Sequence, residues 1–381
     1  MKGLSMKKHA IIPIFIPHLG CPNDCVFCNQ RAITARTSAP TTASIRSTIL
    51  EWLSTLEPEA GSAARPFIEV AFYGGSFTGL DIEEQSQYLA VAREFLDAGR
   101  IDGIHLSTRP DYIDRPILDN LKAYGVSTIE LGVQSFDDRV LELSNRGHTV
   151  SVVYDAVKLI KAYGFRLGIQ LMIGLPGDSL ESCIYSAREA AGLKPELARL
   201  YPTIVLDDTR LLEMYRAGEY KALDREEAIE RTLAMYRILD NAGIYIMRVG
   251  LKSTDIIGDG GAINGGTYHP AFRQLVEGRL MRDLVETELE CVLSSVGEIS
   301  QVGNAASVGE TSQVGIKTPD RHQSKSSRLR IRICSSPAWF SNLIGNCGVN
   351  RQYFAGKYPQ LDIKYGVDSS LDAKEISVKI I

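Results

Sequence analysis

The sequence lacks the features of membrane-spanning and secreted proteins. No stretch approaches the roughly 18 to 20 apolar residues of a membrane-spanning helix. The N-terminus is basic, but the apolar run behind it is short and contains Pro13 and Pro17, unlike a signal peptide. Seven cysteines, an odd number in 381 residues, do not make a secreted disulfide framework. We therefore expect a cytoplasmic protein with no membrane association.

A strong charge bias is also missing. The formal net charge of -4 argues against a uniformly basic nucleic-acid binder but allows a local basic patch. Hydrophobic residues make up 44% and charged residues 23% of the chain, as in ordinary globular proteins. The length suffices for a large domain with a buried core and a smaller second unit.

One short stretch concentrates thiols. Cys21, Cys25 and Cys28 follow an apolar run at residues 11–16, with three residues between the first pair and two between the second. Thiolates are the soft ligands of iron–sulfur clusters, and a 4Fe-4S cubane normally takes four. A cubane held by three cysteines keeps one iron open, as a catalytic metal site does.

A zinc knuckle and three unrelated buried thiols are the alternatives for this stretch. Zinc sites usually draw a fourth Cys or His from a second, matching knuckle. The remaining cysteines form no second Cys-x2-Cys pair: Cys183, Cys291, Cys334 and Cys347.

Predicted strands alternate with predicted helices through the first two thirds of the chain. Runs rich in β-branched and aromatic residues predict strands at residues 11–16, 66–73, 103–106, 128–133, 166–173, 198–205 and 245–249. Apolar residues at helical spacing predict helices at residues 44–56, 81–98, 115–124, 150–163, 179–192 and 225–242. This order predicts an α/β fold, a partial (βα)6-type TIM barrel with a parallel sheet.

The pattern changes after Gly250. Residues 255–293 combine a glycine-rich loop with a predicted helix at 269–289. Residues 294–327 contain the near-identical copies SVGEISQVG and SVGETSQVG, which predict a disordered insertion. Residues 328–381 predict a small α+β extension with strands at 328–333, 362–365 and 374–380. The predicted domains are therefore 1–254, 255–293, 294–327 and 328–381.

Polar residues follow the predicted strands, where parallel α/β folds bind ligands. Glycines after residue 73 permit close approach of a ligand, Gln134 can bond a ribose diol, and Arg146 can pair with a carboxylate. The alternatives are structural: a tight turn, an ion pair between Arg109 and Asp111, a capping or core role for His148, and packing for Tyr201.

The cysteine spacing, with Phe27 before the last thiol, resembles the cluster loop of the radical S-adenosylmethionine (SAM) superfamily. Its members use one cluster electron to cleave SAM to a 5′-deoxyadenosyl radical. The resemblance implies that Cys21, Cys25 and Cys28 bind a 4Fe-4S cluster within a core at residues 1–254. It also implies the SAM-binding residues: Gly74, Gly75 and Ser76 for the amino group, Arg109 or Arg146 for the carboxylate, Gln134 and Gln170 for the ribose, and Ser107 beside them.

Further motifs resemble the radical SAM core of the Elongator catalytic subunit over about residues 10–255. They are residues 130–135, 146–150, 174–178, 201–206 and 215–220, with Arg248. That enzyme acts on the wobble uridine of tRNA, so the resemblance implies tRNA modification, with a reductant such as flavodoxin or ferredoxin. Two departures are a shorter gap between Cys21 and Cys25 and the lack, after Gly250, of sequence suited to an acetyltransferase domain.

Other functions stay open. A more distant resemblance to oxygen-independent coproporphyrinogen oxidases implies a small substrate such as a tetrapyrrole, although Ser107 and Gln170 stand where that group has acidic residues. A non-catalytic iron–sulfur or zinc module is another. For RNA, the basic residues 328–332 with Lys221 and Arg225 offer phosphate contacts. The alternative for residues 328–332 is an edge strand protected from aggregation by its charges.

Overall fold

A computed structural model describes residues 9–16, 21, 25–29, 39–56, 65–251, 263–305 and 328–381. The chain divides into two compact units, Met1–Phe272 and Arg273–Ile381. Within the described residues, no helix combines the length and apolar character needed to cross a membrane.

The first unit is built on a seven-stranded parallel sheet. Its strands, in spatial order, are β1 (His9–Ile16), β2 (Phe67–Gly74), β3 (Gly103–Thr108), β4 (Val126–Gln134), β5 (Arg166–Ile173), β6 (Leu197–Pro202) and β8 (Tyr245–Val249). Each strand pairs in parallel with the next, and the sheet curls into a partial barrel with β1 and β8 at its edges. The predicted partial TIM barrel is confirmed.

Helices connect the strands. They are α1 (Thr42–Leu56), α2 (Ile82–Asp97), α3 (Arg115–Ala123), α4 (Asp138–Leu143), α5 (Val150–Ala162), α6 (Leu180–Gly192), α7 (Arg210–Arg216) and α8 (Arg225–Asn241). Local chemistry fixes their starts, since Asp114, Ser179 and Asp224 each accept a backbone N–H of the first turn. The short helices α4 and α7 were not predicted, because six or seven residues show little periodicity.

The predicted strand at residues 198–205 is two strands. β6 ends at Pro202, and Ile204–Leu206 forms β7, which pairs antiparallel with β9 (Ile263–Gly266). Pro202 has no N–H to continue a ladder, whereas Thr203 donates its N–H to the carbonyl of Ile173 at 2.8 Å. The chain therefore leaves the barrel sheet after Thr203.

The second unit holds a three-stranded sheet with β10 (Leu329–Ser335) in its centre. β10 pairs in parallel with β11 (Leu361–Val367) and antiparallel with β12 (Ile376–Ile380). Helices α10 (Phe340–Ile344) and α11 (Val349–Lys357) lie between β10 and β11 along the chain. The edge-strand interpretation of residues 328–332 is wrong, because both sides of β10 are hydrogen-bonded.

Helix α9 (Phe272–Ala305) begins at the junction of the units and extends past the predicted boundary at residue 294. The first nine-residue copy is therefore helical where a disordered insertion was predicted, and its apolar residues at positions 296, 299 and 302 have helical spacing. The second copy lies outside the described residues. The glycine-rich loop does so as well, except for β9.

Candidate active site

The cysteine loop follows β1 and is anchored through Val26. The N–H of Val26 donates to the carbonyl of Ser144 at 3.1 Å, and its carbonyl accepts from the N–H of Leu211 at 2.7 Å. Its buried side chain packs with residues of β7 and α7. These contacts fix the neighbouring Cys25, whose thiol is buried. Cys21 and Cys28 are half-buried.

Two guanidinium groups converge on Cys25. Arg146 Nη1 lies 3.2 Å and Arg109 Nη1 4.0 Å from the Sγ atom, and both arginines are about 95% buried, at 5% and 4% exposure. Arg109 also donates to Asp111 through two hydrogen bonds and to the carbonyl of Arg146. The Arg109–Asp111 ion pair considered from sequence is therefore present, and it joins the buried Arg109 to the solvent-accessible Asp111. So much buried positive charge favours anions, thiolates among them, at this place.

Cys21 lies in the same positive environment. Burial raises the pKa of its thiol, whereas Arg109 and the backbone N–H of Ser76 act to lower it. Among the described residues, no three Cys, His, Asp or Glu side chains are gathered closely enough to hold a metal ion. Residues 22–24 of the loop lie outside the described ranges. The donor set, thiols beside guanidinium groups and a backbone N–H, matches the chemistry of an iron–sulfur ligand site.

The glycine turn after β2 touches the end of β1, the strand that precedes the cysteine loop. Gly74 has φ +114°, and a Cβ there would lie 2.3 Å from the carbonyl oxygen of Ile16. The N–H of Gly75 donates to that same oxygen at 2.8 Å. Only glycine fits this close approach, so the double glycine serves to join the ends of β1 and β2.

Ser76 is tied to β3 through its side chain. Its hydroxyl pairs with the Thr108 hydroxyl at 2.7 Å and accepts the Arg109 N–H at 3.2 Å. The backbone of Ser76 therefore remains the part directed at Cys21. Ser107, also on β3, is half-buried and stands opposite Glu130 in the strand register.

The two glutamines meet. Gln170 on β5 donates its amide to Oε1 of Gln134 at the end of β4, at 3.3 Å. Gln134 has φ +73°, at a register shift between β4 and β5, which turns its side chain toward Gln170. Arg146 contacts the same end of β4, because its Nη2 donates to the carbonyl of Gly132 at 2.6 Å. The structure thus brings together Cys21, Cys25, the glycine turn, both arginines and, through Gly132, the glutamine pair.

His148 is buried next to Arg146. Burial and then the charge of Arg146 lower its pKa to about 4, so the ring is neutral near pH 7. Its Nδ1 lies 3.4 Å from the Thr149 carbonyl. This geometry suits the structural alternative for His148.

The barrel interior holds a polar network that sequence reasoning missed. Arg199 on β6 makes a 2.8 Å ion pair with Glu130 on β4, and its guanidinium lies 4.4 Å from the ring centroid of Tyr73. It also donates to the hydroxyls of Tyr73 and Tyr201. Charged residues inside otherwise apolar strands were the available signal, but their partners lie on other strands of the curled sheet. Tyr201 is thus a hydrogen-bonding residue rather than simple packing.

His105 sits in this network, edge-on to the Tyr73 ring. Burial lowers its pKa to about 3, against about 6.5 for an exposed histidine. The unfolded chain therefore takes up a proton that the folded chain refuses as pH falls below 6.5. We expect the free energy of unfolding to drop by about 2 kcal/mol from this residue between pH 7 and 5.

Urea unfolding across this pH range checks the expectation. The His105→Leu variant should lose that part of the pH slope. An unchanged slope in the variant would mean that His105 becomes protonated over the same pH range in the folded protein as in the unfolded chain.

The seven-stranded parallel barrel, with its cysteine loop, glycine turn and buried arginines at the strand ends, defines an α/β-barrel enzyme. Residues 15–190 match the model of the radical SAM superfamily, and residues 195–282 match that of the radical SAM C-terminal domain. The chain belongs to the radical SAM superfamily, whose members bind SAM and a 4Fe-4S cluster.

Individual relatives show which proteins this chain is similar to. A tRNA uridine(34) acetyltransferase of Methanocaldococcus jannaschii is 32% identical over 183 residues, which cover 43% of this chain and 34% of that protein. An uncharacterised protein of the same organism is 30% identical over 240 residues, covering 60% and 72%. The structure of an N-terminally truncated archaeal Elp3 from Methanocaldococcus infernus shares the fold, with a TM-score of 0.57, 22% identity and coverage of 73% and 64%. This chain spans about a third of the acetyltransferase's length.

Proposed function

We propose that this chain is a radical SAM enzyme that modifies a uridine in tRNA. The observation that carries the chemistry is the convergence of two buried guanidinium groups on Cys25, beside a turn that only glycine can form. Buried cations are stabilised by anions close by, as Asp111 does for Arg109. The cluster thiolates and the carboxylate of SAM would be further anions for this pair of guanidinium groups.

The residues take the following roles. Cys21, Cys25 and Cys28 would hold the 4Fe-4S cluster, which when bound and reduced would supply one electron for the reductive cleavage of SAM. Arg146 donates a hydrogen bond to the Cys25 sulfur, an outer contact of the kind that orients and tunes metal ligands. The short β1–β2 contact at Gly74 holds the glycine turn against the end of β1, from which the cysteine loop follows.

The same strand ends bind SAM. The backbone of Gly74, Gly75 and Ser76 accepts the amino group, and Arg109 or Arg146 pairs with the carboxylate. The amides of Gln134 and Gln170, already joined to each other, offer their remaining donors and acceptors to the ribose, with Ser107 beside them.

The tRNA substrate is supported by the similarity to tRNA uridine(34) acetyltransferases. The matched region covers 34% of one such relative and 54% of another, so the proposal extends to a uridine in tRNA and not to a particular product. We assign the electron supply to a small protein reductant such as flavodoxin or ferredoxin, and the activity to the reducing cytoplasm, where thiolate-bound clusters persist.

Anaerobic reconstitution with iron and sulfide tests this function. The loaded protein, given dithionite and SAM, is expected to form 5′-deoxyadenosine, measured by chromatography. Added tRNA should raise the yield, and its nucleosides should then show a modified uridine. A fully loaded protein that forms no 5′-deoxyadenosine with or without tRNA would contradict the proposal.

A further inference from the structure

The exposed face of the C-terminal sheet carries aligned positive charges. On β10, Arg330 and Arg332 are exposed whereas Ile331 and Ile333 are fully buried. One face of the sheet therefore packs inward and the other meets solvent. Since β10 is the central strand, its arginines do not serve to protect an open edge.

The strand register extends the charge to both neighbours. Arg332 stands opposite Lys364 on β11 and opposite Lys379 on β12. All three side chains are exposed, and adjacent strands lie about 4.8 Å apart. We call Lys364, Arg332 and Lys379 the cationic row. Like charges directly opposite one another destabilise a sheet, so this arrangement calls for a reason other than folding.

The carboxylates near the row neutralise little of its positive charge. Asp362 stands opposite Arg330 and pairs with it at 3.6 Å, one step along the sheet from the row. Asp368 interacts with Lys379 from the turn after β11, but its carboxylate is held by Ser370. Arg332 and Lys364 form none of the salt bridges found in the described part of the chain.

The side chains beside the row are small. The next positions on the same face are Gly366, Cys334 and Ser377. Small side chains next to a line of cations leave room for an extended polyanion, whereas insertion into a lipid surface needs large apolar side chains at such positions. Arg332 adds the guanidinium geometry that binds phosphate oxygens in pairs.

We propose that the cationic row binds backbone phosphates of RNA. The identity of the polyanion rests on the proposed function, in which the substrate is tRNA. The radical chemistry and this surface lie in different units of the chain. The row therefore supplies affinity and not base recognition, because phosphate contacts carry no sequence information directly.

Binding of full-length protein to tRNA, measured by fluorescence anisotropy from 50 to 200 mM salt, tests the row. Three phosphate contacts account for roughly a 20- to 40-fold loss of affinity over this range. The variant Arg332→Gln/Lys364→Gln/Lys379→Gln should bind more weakly at 50 mM and have a slope of log K against log salt that is smaller by about 2 to 3. The matched control Arg139→Gln/Lys158→Gln/Arg188→Gln removes three exposed charges from barrel helices and should bind like wild type.

The outcomes separate this inference from the proposed function. If the row variant binds tRNA as strongly as the wild type and with the same salt dependence, the proposal for the cationic row is wrong, and the proposed tRNA substrate is unaffected. If the wild-type protein fails to bind tRNA at 50 mM salt, both the proposal for the cationic row and the proposed tRNA substrate are wrong. If the row variant binds vesicles of anionic lipid more weakly than the wild type but binds tRNA equally well, the row would be assigned to a membrane surface instead.

Chemical protection provides a measurement without substitutions. In wild-type protein, tRNA should shield Lys364 and Lys379 from an amine-acetylating reagent, while Lys158 reacts as before. Equal reactivity of all three lysines at saturating tRNA would overturn the row even if the triple variant were misfolded.

Discussion

Replacing Cys25 with alanine is expected to abolish 5′-deoxyadenosine formation and to lower bound iron after reconstitution. Cys25 is the thiol on which Arg146 and Arg109 converge, and two ligands are too few to hold a cubane. Loss of an outer-shell partner of a metal site costs about 10- to 100-fold in affinity or activity, and loss of a ligand should cost more. Chromatography of the nucleoside and iron analysis give the two readouts.

Cys183→Ala is the matched control for Cys25→Ala. Cys183 is also buried, but it lies on α6, where it donates to Asp178 at 3.1 Å. Burial and the Asp178 carboxylate raise the pKa of this thiol, so it is a poor thiolate ligand. Full iron content and activity in Cys25→Ala, or equal losses in both variants, would show that Cys25 is not a specific ligand.

Local sequence pattern sufficed for the barrel. The bounds of β5 and β8 agree with the predicted strands, because each is a short apolar or aromatic run that follows a helix of clear periodicity. The failures are long-range. The pairing of β7 with β9 depends on a segment almost 60 residues away, which no local pattern reports.

The site was predictable as a set of loops but not as a set of contacts. Parallel strands bring their carboxyl ends together, so the cysteine loop and the glycine turn could be expected near each other. The direction of Arg146 toward Cys25, and the positive φ of Gln134 that lets it meet Gln170, could not. The cationic row was predictable only in part. The basic run of β10 is evident in the sequence, whereas Lys364 and Lys379 are placed beside Arg332 only by the strand register.

Glu130→Gln is expected to cost the barrel about 3 to 5 kcal/mol of unfolding free energy, because it leaves the buried charge of Arg199 without its carboxylate. Glu130 is 1% exposed and the Arg199 side chain 10%, so water cannot replace the lost partner. Burial raises the pKa of Glu130 and Arg199 acts to lower it. Glu130 therefore depends on Arg199 to stay ionised, whereas the guanidinium of Arg199 keeps its charge when the carboxylate is removed. Urea unfolding followed by circular dichroism gives the loss, and hydrogen exchange should locate it in β4 and β6.

Two further variants decide whether charge is the cause. Glu130→Leu/Arg199→Met removes both charges at similar volume, and it should recover most of the stability lost in Glu130→Gln. Glu94→Gln breaks the exposed pair with Arg46 and should have a much smaller effect, because water screens both groups. If the double variant were as unstable as Glu130→Gln, the loss would come from packing around β4. The polar interior of this barrel would then owe its stability to shape and not to the ion pair.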